Sequence, residues 1–477
     1  MGARLSLNNH KRSSSETFEA PQTDACKRRK TSSSSIWDEN ARLIPNLPDE
    51  ISIQILARLP RIWHLNAKLV SRGWKSAITS TEYFKLRKEL GTTEEWLYIL
   101  TKLDGGRLVW HALDPVSCIW QRLPLMPNVA VENGQRTGLL GLRLWNIVGP
   151  RIIADAIRGW LGKKDVLEET PFCGCAIGAI NGSLYVIGGF GRASALTSVW
   201  RYDPIVNSWS ESGPMSVGRA YCKTGVLDNN LYVVGGVTRG RGGLTPLQSA
   251  EVYNACTGIW TEVPSMPFSK AQVLPTAFLA DLLKPIATGM TTYKGKLYVP
   301  QSLYCWPFFV DVGGEVYDPE TNLWAEMPIG MGEGWPAKQA GTKLSVIVDG
   351  ELYALDPSSS LDTARIKVYD HADDSWKTIE GDVPIRDLSD SESPYLLASF
   401  LGKLHVITKD VNHNISVVQA DRRNGLDVGP SSSSAIIDDP LQDVSENLSA
   451  SLGNIWKVIA TKSGGSAELV SCQILDI

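Results

Sequence analysis

NGSLYVIGG, residues 181–189, is the stretch that decides the fold, because variations of it occur four more times along the chain. The other copies read NNLYVVGG, KGKLYVP, DGELYAL and LGKLHVI, and all five share a leucine, at Leu184, Leu231, Leu297, Leu352 and Leu404. In each copy a turn pair precedes apolar and aromatic residues that are typical of β-strands. Asn181-Gly182 and Asp349-Gly350 readily adopt positive φ in two-residue hairpin turns. The repeat therefore predicts strand–turn–strand units.

A second interval recurs, in which an apolar strand ends at Asp or Asn and a tryptophan follows six positions later. The pairs are Asp114 and Trp120, Asp203 and Trp209, Asn254 and Trp260, Asp318 and Trp324, and Asp370 and Trp376. The polar residue closes a turn, and the returning strand places its indole between neighbouring sheets. Four strands per copy, wound radially, protect the sheet edges, which is the arrangement of a β-propeller.

The first unit of the repeat is incomplete. WLYIL, LVWHALDP and IWQRLP, between residues 96 and 124, supply three strands with no inner strand directly before them. The C-terminal AELVSCQILDI, residues 467–477, supplies the missing one. Such long-range closure is tolerable because loop-closure entropy grows only slowly with length. The sequence therefore predicts a mainly β protein, a six-bladed propeller closed by its C-terminal strand.

At these residues the sequence resembles the kelch family, whose repeat has a Gly-Gly pair after the second strand, then Tyr-Asp-Pro, then a spaced tryptophan. Gly188-Gly189 and Gly235-Gly236 match that pair. The copies near residues 297, 352 and 404 lack it, and His405 replaces the tyrosine of the last copy. The resemblance implies a kelch-type propeller, whose later blades are assigned from the tyrosine or the tryptophan spacing alone.

A short helical module precedes the predicted propeller. Ile51, Ile55, Leu56 and Leu59 share one helical face behind the Pro-Asp-Glu start at residues 48–50. About forty residues bury too little surface to be stable alone, so such a stripe should meet a partner or pack on its neighbour.

Residues 43–78 resemble an F-box, the motif that docks on a Skp-family adaptor and through it on a cullin. The resemblance implies that the adaptor-binding positions are Leu47, Pro48, Ile51, Ile55, Leu56, Leu59, Leu69, Val70 and Trp74, with Arg72 beside them. Ser71 stands where many members of the family have cysteine.

An F-box ahead of a kelch propeller is common among plant proteins, so the chain resembles a plant-type F-box/kelch-repeat protein. The resemblance implies a non-catalytic substrate-recognition subunit of an SCF-type cullin-RING ubiquitin ligase, whose propeller binds a target protein for ubiquitination. Two alternatives stay open, a non-ligase interaction scaffold and a kelch-fold oxidoreductase. The dispersed histidines disfavour the oxidoreductase, and no cofactor or metal is predicted.

Loops between second and third strands, and between successive blades, should leave one face of the ring and recognise the target. Arginine forks bind carboxylates or phosphates, and aromatic side chains provide rigid contact area. The candidates on this face are Arg192, Arg219, Arg239, Arg241, Tyr304, Trp306, Phe308 and Phe309.

Charge and cysteine usage limit the other classes of function. Among 477 residues, 47 basic and 51 acidic side chains give a net charge of -4, which argues against a nucleic-acid partner. The eight cysteines are scattered, as in a reducing compartment, and no apolar run approaches the roughly 20 residues of a membrane-spanning helix. We expect an F-box module at 41–90 and a propeller at 91–477, with a basic helical insertion at 128–171 and a disordered loop at 424–453.

The N-terminal residues 1–40 are rich in serine and basic clusters and are predicted to be disordered. Lys11-Arg12 and the basic run at residues 27–30 are spaced like a bipartite nuclear import signal, so nucleus and cytoplasm are the expected locations. MGARLS also fits the myristoylation pattern on Gly2, and membrane contact is expected only if Gly2 is acylated.

Overall fold

A computed structural model describes twelve segments of the chain. They are residues 42–103, 106–127, 173–191, 194–240, 243–268, 285–305, 308–335, 345–356, 363–384, 395–410, 412–420 and 456–477. The predicted tail at 1–40, the insertion at 128–171 and the loop at 424–453 lie outside these described residues.

Four α-helices and one 3₁₀ turn form the module ahead of the propeller. They are α1 (Asp49–Ala57), the 3₁₀ turn (Arg61–Trp63), α2 (His64–Val70), α3 (Arg72–Ile78) and α4 (Thr81–Glu89). Pro48 precedes α1 as its N-cap residue, and two acidic side chains occupy its first turn. Ser71 caps α3 by accepting a hydrogen bond from the Trp74 backbone N–H at 3.0 Å.

The rest of the described chain forms six antiparallel blades. Blade 1 begins with β1 (Glu95–Lys102), β2 (Leu108–Leu113) and β3 (Trp120–Arg122). Blade 2 contains β4 (Ala176–Ile180), β5 (Ser183–Ile187), β6 (Val199–Asp203) and β7 (Ser208–Ser212). Blade 3 contains β8 (Lys223–Leu227), β9 (Asn230–Val234), β12 (Ala250–Asn254) and β13 (Ile259–Val263), with a hairpin of β10 (Val237–Gly240) and β11 (Gly243–Pro246) between β9 and β12.

The C-terminal three blades follow the same order. Blade 4 contains β14 (Ile286–Ala287), β15 (Thr291–Tyr293), β16 (Lys296–Cys305), β17 (Phe308–Asp318) and β18 (Leu323–Glu326), followed by α5 (Ile329–Gly334). Blade 5 contains β19 (Ser345–Val348), β20 (Glu351–Asp356), β21 (Thr363–Asp370) and β22 (Ser375–Pro384). Blade 6 contains β23 (Tyr395–Phe400), β24 (Lys403–Lys409), β25 (Ile415–Ala420) and β26 (Trp456–Lys462), and the last strand is β27 (Glu468–Asp476).

The last strand closes the ring as predicted. β27 pairs antiparallel with β1 and so becomes the innermost strand of blade 1. The backbones of Glu94 and Ile477 exchange two hydrogen bonds, of 2.8 and 3.0 Å, at the end of this pairing. The six-bladed propeller expected from the repeats is thereby confirmed.

The tryptophan interval joins neighbouring blades by hydrogen bonds. These tryptophans are half-buried, and an indole N–H that is removed from solvent needs an acceptor within the protein. Each indole donates to a backbone carbonyl of the preceding blade, at 2.6–3.0 Å: Trp120 to Thr461, Trp209 to Pro124, Trp260 to Gly213, Trp324 to Pro264 and Trp376 to Met331. The first of these connects blade 1 to blade 6, so the indoles also contribute to closure.

Candidate adaptor and target interfaces

The interior of the helical module determines which apolar side chains remain outside. Leu56, Ala57, Ala67, Ile78 and Tyr83 form its buried core. The structure corrects the expectation that Leu56 lies on the adaptor surface, because it is 1% exposed and packs inside this core.

Two other predicted adaptor residues pack partly inward. Leu59 and Trp74 contact the same core, and the Trp74 indole donates to the Leu43 carbonyl oxygen at 2.7 Å. Leu47 is half-buried and Pro48 is exposed. Trp74 therefore holds the entering chain, in addition to any contact it makes with a partner.

The remaining predicted positions lie on the surface. Ile51 and Ile55 of α1 are about half exposed, while Leu69 and Val70 of α2 are 84% and 63% exposed. Leu65 lies one turn before Leu69 and is also exposed. Each helix thus presents a pair of apolar residues four positions apart, as in a helical surface that meets a partner. Sequence reasoning missed Trp63, which is 55% exposed in the 3₁₀ turn, because this turn breaks the helical period.

Glu94 connects the helical module to the propeller. Its carboxylate accepts hydrogen bonds from the Arg61 backbone N–H and from the Trp96 indole, both at 3.0 Å, and lies 3.7 Å from the Arg87 guanidinium. The Arg61 side chain lies over the Trp96 ring and donates to the Pro204 carbonyl at 3.1 Å. These contacts join the module to the turn between β6 and β7.

Lys68 of α2 makes a second contact with that turn. Its ammonium donates to the Ile205 carbonyl oxygen, and burial lowers its pKa to about 8. The chain leaves β5 for β6 at the opposite end of β6 from this turn. The loops between second and third strands therefore face away from the helical module.

The opposite face carries part of the predicted target surface. Arg239 lies on β10 of the hairpin in blade 3, with its guanidinium 5.4 Å from the centre of the Phe190 ring. Phe190 also contacts Tyr221, with 6.2 Å between ring centroids. Arg239 is thus a partly exposed cation positioned by an aromatic ring. Sequence reasoning identified Arg239 but not the hairpin that carries it.

Arg219 is not on the target surface, contrary to the sequence expectation. It is fully buried and forms an ion pair with Glu251 at 2.7 Å. Its other N–H groups donate to the carbonyl oxygens of Gly235 and Ser249. The fold tolerates this buried charge because the guanidinium is paired with Glu251 and with backbone carbonyl groups. Arg219 lies between β7 and β8, so these contacts join blade 2 to blade 3.

Only some of the other target-face candidates lie among the described residues. Tyr304, Phe308 and Phe309 lie on the paired strands β16 and β17, which corrects the expectation that they occupy a loop. The ten-residue β16 and the eleven-residue β17 are longer than the corresponding strands β20 and β21 of blade 5. Arg192, Arg241, Trp306 and Gly2 lie outside the described residues.

A cavity of about 510 Å³ lies along the inner strands of the ring. The first strands of several blades line it, including Lys223 of β8, Thr291 of β15 and Ser345 of β19. No sequence motif indicated it, because only ring closure brings these strands together. No group of three or more His, Cys, Asp or Glu side chains suited to a metal occurs in the described segments. Among those segments, no helix has the length and apolar character needed to cross a membrane.

A closed six-bladed ring preceded by a small helical module defines the class of β-propeller proteins with an N-terminal helical domain. Comparison with known proteins identifies the family. An F-box domain model matches residues 44–86, and a Kelch motif model matches residues 171–216 and 218–267. The chain is 62% identical to the Arabidopsis thaliana F-box/kelch-repeat protein At1g22040 over 482 residues, covering 100% of both chains.

More distant Arabidopsis relatives align with about two thirds of the chain. The F-box/kelch-repeat protein At1g30090 is 30% identical over 68% of this chain and 67% of its own length. The F-box protein AFR is 26% identical over 66% and 68%, respectively. The chain belongs to the plant F-box/kelch-repeat family.

Proposed function

We propose that this protein is the substrate receptor of an SCF-type cullin-RING ubiquitin ligase. Its helical module binds a Skp-family adaptor, and through it a cullin, while the propeller binds a target protein. The chain itself is not a catalyst, and it acts by holding the target at high effective concentration near the conjugating enzyme.

The observation that carries this proposal is the exposed apolar surface of the helical module. Ile51 and Ile55 on α1, and Leu65 and Leu69 on α2, stay exposed although the module has its own buried core. A helix face that is neither needed by the core nor covered by the propeller is suited to a partner helix. The F-box match over residues 44–86 supports a Skp-family adaptor as that partner.

Co-purification with a Skp-family adaptor tests this proposal. Leu69→Glu places a charge on the most exposed of these side chains, so it should abolish adaptor recovery without disturbing the module core. The matched control is Val116→Glu, at an 81% exposed position on the propeller turn after β2, which should retain the adaptor.

A second measurement separates the ligase from a scaffold with another partner. The wild-type chain with its adaptor should co-elute with a cullin–RING pair, and Leu69→Glu should not. Undiminished adaptor recovery by both Leu69→Glu and Ile55→Glu would contradict the assigned surface. Adaptor binding without cullin recruitment would favour the scaffold.

The propeller face opposite the module is the proposed target surface. Arg239 on its hairpin is the best-placed described candidate, because it is partly exposed and its guanidinium lies 5.4 Å from the centre of the Phe190 ring. An arginine held in this way favours an acidic segment of a target. The fixed joint at Glu94 would then hold the target at a constant distance from the adaptor.

A further inference from the structure

The cavity along the inner strands of the ring, called the axial cavity below, is lined by both apolar and polar side chains. Ile177, Val226 and Leu469 contribute apolar surface, and hydroxyl and amide side chains alternate with them. Several of those polar groups are already used, since Thr224 and Gln473 donate to the Ile177 carbonyl oxygen at 2.6 and 3.0 Å. At about 510 Å³, the cavity has the size of a small-molecule site.

The described side chains that line this cavity include more positive than negative charges. Lys102 is neutralised by Glu468, with 3.5 Å between their charged atoms. The backbone of Lys223, the first residue of β8, pairs with β9, but its side chain has no hydrogen-bond or ion-pair partner among the residues that the structure describes. Its side chain is partly buried, and desolvation lowers its pKa to about 8. Lys223 is still mostly protonated at neutral pH, and an unpaired ammonium in such a wall destabilises the fold.

The neighbouring thiols supply no negative charge. Burial raises the pKa of Cys175 to about 12 and that of Cys222 to about 11, so both are neutral at physiological pH. Cys173 shares a hydrogen bond with the Tyr221 hydroxyl at 3.4 Å. Among the described residues that line it, the cavity therefore presents one positive charge without a counter-charge, that of Lys223, between apolar surfaces and hydroxyl groups.

We propose that the axial cavity binds a carboxylate, which pairs with the Lys223 ammonium while the apolar part of the ligand contacts Val226 and its neighbours. A single cation matches a monoanion better than a phosphate dianion, which would need more donors. The carboxylate has two possible sources, a free organic acid or the acidic side chain of a bound protein. In the second case the site rests on the proposed target-binding function and refines it.

Calorimetry and thermal unfolding of the full chain test the site, with octanoate and uncharged 1-octanol as probes. Octanoate should bind and raise the unfolding temperature, whereas octanol should not. Lys223→Met should weaken octanoate binding by roughly 10- to 100-fold, the value of a charge-assisted hydrogen bond. Lys457→Met, at an exposed lysine on β26, is the matched control and should leave binding unchanged.

The unliganded variant gives an independent readout. Because the Lys223 side chain has no partner, Lys223→Met should raise the unfolding temperature of the unliganded protein while weakening octanoate binding, whereas removal of a structural lysine would lower that temperature. A peptide with blocked ends and a single glutamate distinguishes the two sources. If the peptide binds and octanoate does not, and if peptide binding depends on Lys223, the carboxylate that the site takes belongs to a protein.

Two results would overturn the site. One is that neither octanoate nor the glutamate peptide binds, and the other is that Lys223→Met binds its ligand as tightly as the wild-type chain does. Adaptor recovery does not depend on Lys223, so either failure would leave the adaptor-binding proposal intact.

Discussion

The buried ion pair of Arg219 and Glu251 should contribute more to the free energy of unfolding than an exposed ion pair does. Arg219→Met would leave the Glu251 carboxylate buried without its cation, which costs about 3–5 kcal/mol. Arg201→Met is the control, because the Arg201–Asp203 pair is partly exposed and such pairs contribute about 1 kcal/mol or less. Urea unfolding followed by tryptophan fluorescence should show a large fall in midpoint for the first variant alone. Equal midpoints for both variants would contradict this assignment.

His64 makes the helical module sensitive to acid. It is buried beside Arg87, and its Nε2 lies 3.1 Å from the Leu59 carbonyl oxygen. Burial, with a smaller effect from the Arg87 charge, lowers its pKa to about 3. The unfolded chain takes up this proton below about pH 6.5, so stability falls as pH decreases from 6.5 toward 3.

The stability lost at His64 by pH 5 amounts to about 2 kcal/mol. Hydrogen exchange of the module amides should therefore accelerate between pH 7 and pH 5, after correction for intrinsic rates. His64→Gln, which cannot be protonated, should remove this difference. An equal acceleration in His64→Gln would show that another group is responsible.

At the scale of elements, the hairpin turns between first and second strands have positive φ at both central positions. Asn181-Gly182 has φ values of 50° and 64°, and Leu401-Gly402 has 53° and 65°. Leucine is disfavoured there by about 1–2 kcal/mol, whereas asparagine and glycine adopt this conformation readily. Leu401→Asn should therefore stabilise the protein, and Asn181→Leu should destabilise it by a similar amount.

Thermal unfolding of these two variants checks the assignment of the turns. Leu401 is half exposed, so its replacement removes little buried surface. Opposite shifts of the unfolding temperature are expected. Shifts in the same direction would mean that side-chain contacts outweigh the backbone conformation.

The propeller elements were predictable from sequence because blades 2–5 contain both the turn signal and the tryptophan interval, while blade 1 contains only the interval and blade 6 only the turn signal. The hairpin of β10 and β11 was missed, since the sequence there is rich in glycine and arginine and lacks strand periodicity. Leu56 and Arg219 were misplaced for a related reason. A helical period does not show which residues the core covers, and the partner of a buried arginine lies 32 positions away.

At the scale of the whole molecule, predictability depends on whether a feature is local or requires the closed ring. The missing first strand of blade 1 indicated closure, because an incomplete repeat at one end had its complement at the other. The axial cavity and the joint at Glu94 involve residues from distant parts of the chain, such as Arg61 and Pro204. No spacing within the sequence could indicate these contacts.

Ring closure should control the stability of both parts of the protein. β27 supplies Leu469, Cys472 and Leu475 to the apolar contacts between blades. Leu475 packs against residues of blades 1 and 2, so Leu475→Asp would bury a carboxylate without a partner there. We expect β27 to detach from β1 and the chain to lose its cooperative unfolding transition. The exposed Glu468→Gln on the same strand should change stability by about 1 kcal/mol or less.

Hydrogen exchange can locate the effect of the opened ring. Ile477 and Glu94 share backbone hydrogen bonds, and Glu94 also accepts the Arg61 N–H that joins the helical module to the ring. Leu475→Asp should therefore increase amide hydrogen exchange in both β1 and the 3₁₀ turn. Adaptor binding through α1 and α2 should be reduced less than the exchange protection of these two segments. If exchange rises in β1 alone, the module and the ring are not coupled through Glu94, and the distance between adaptor and target is not fixed by this joint.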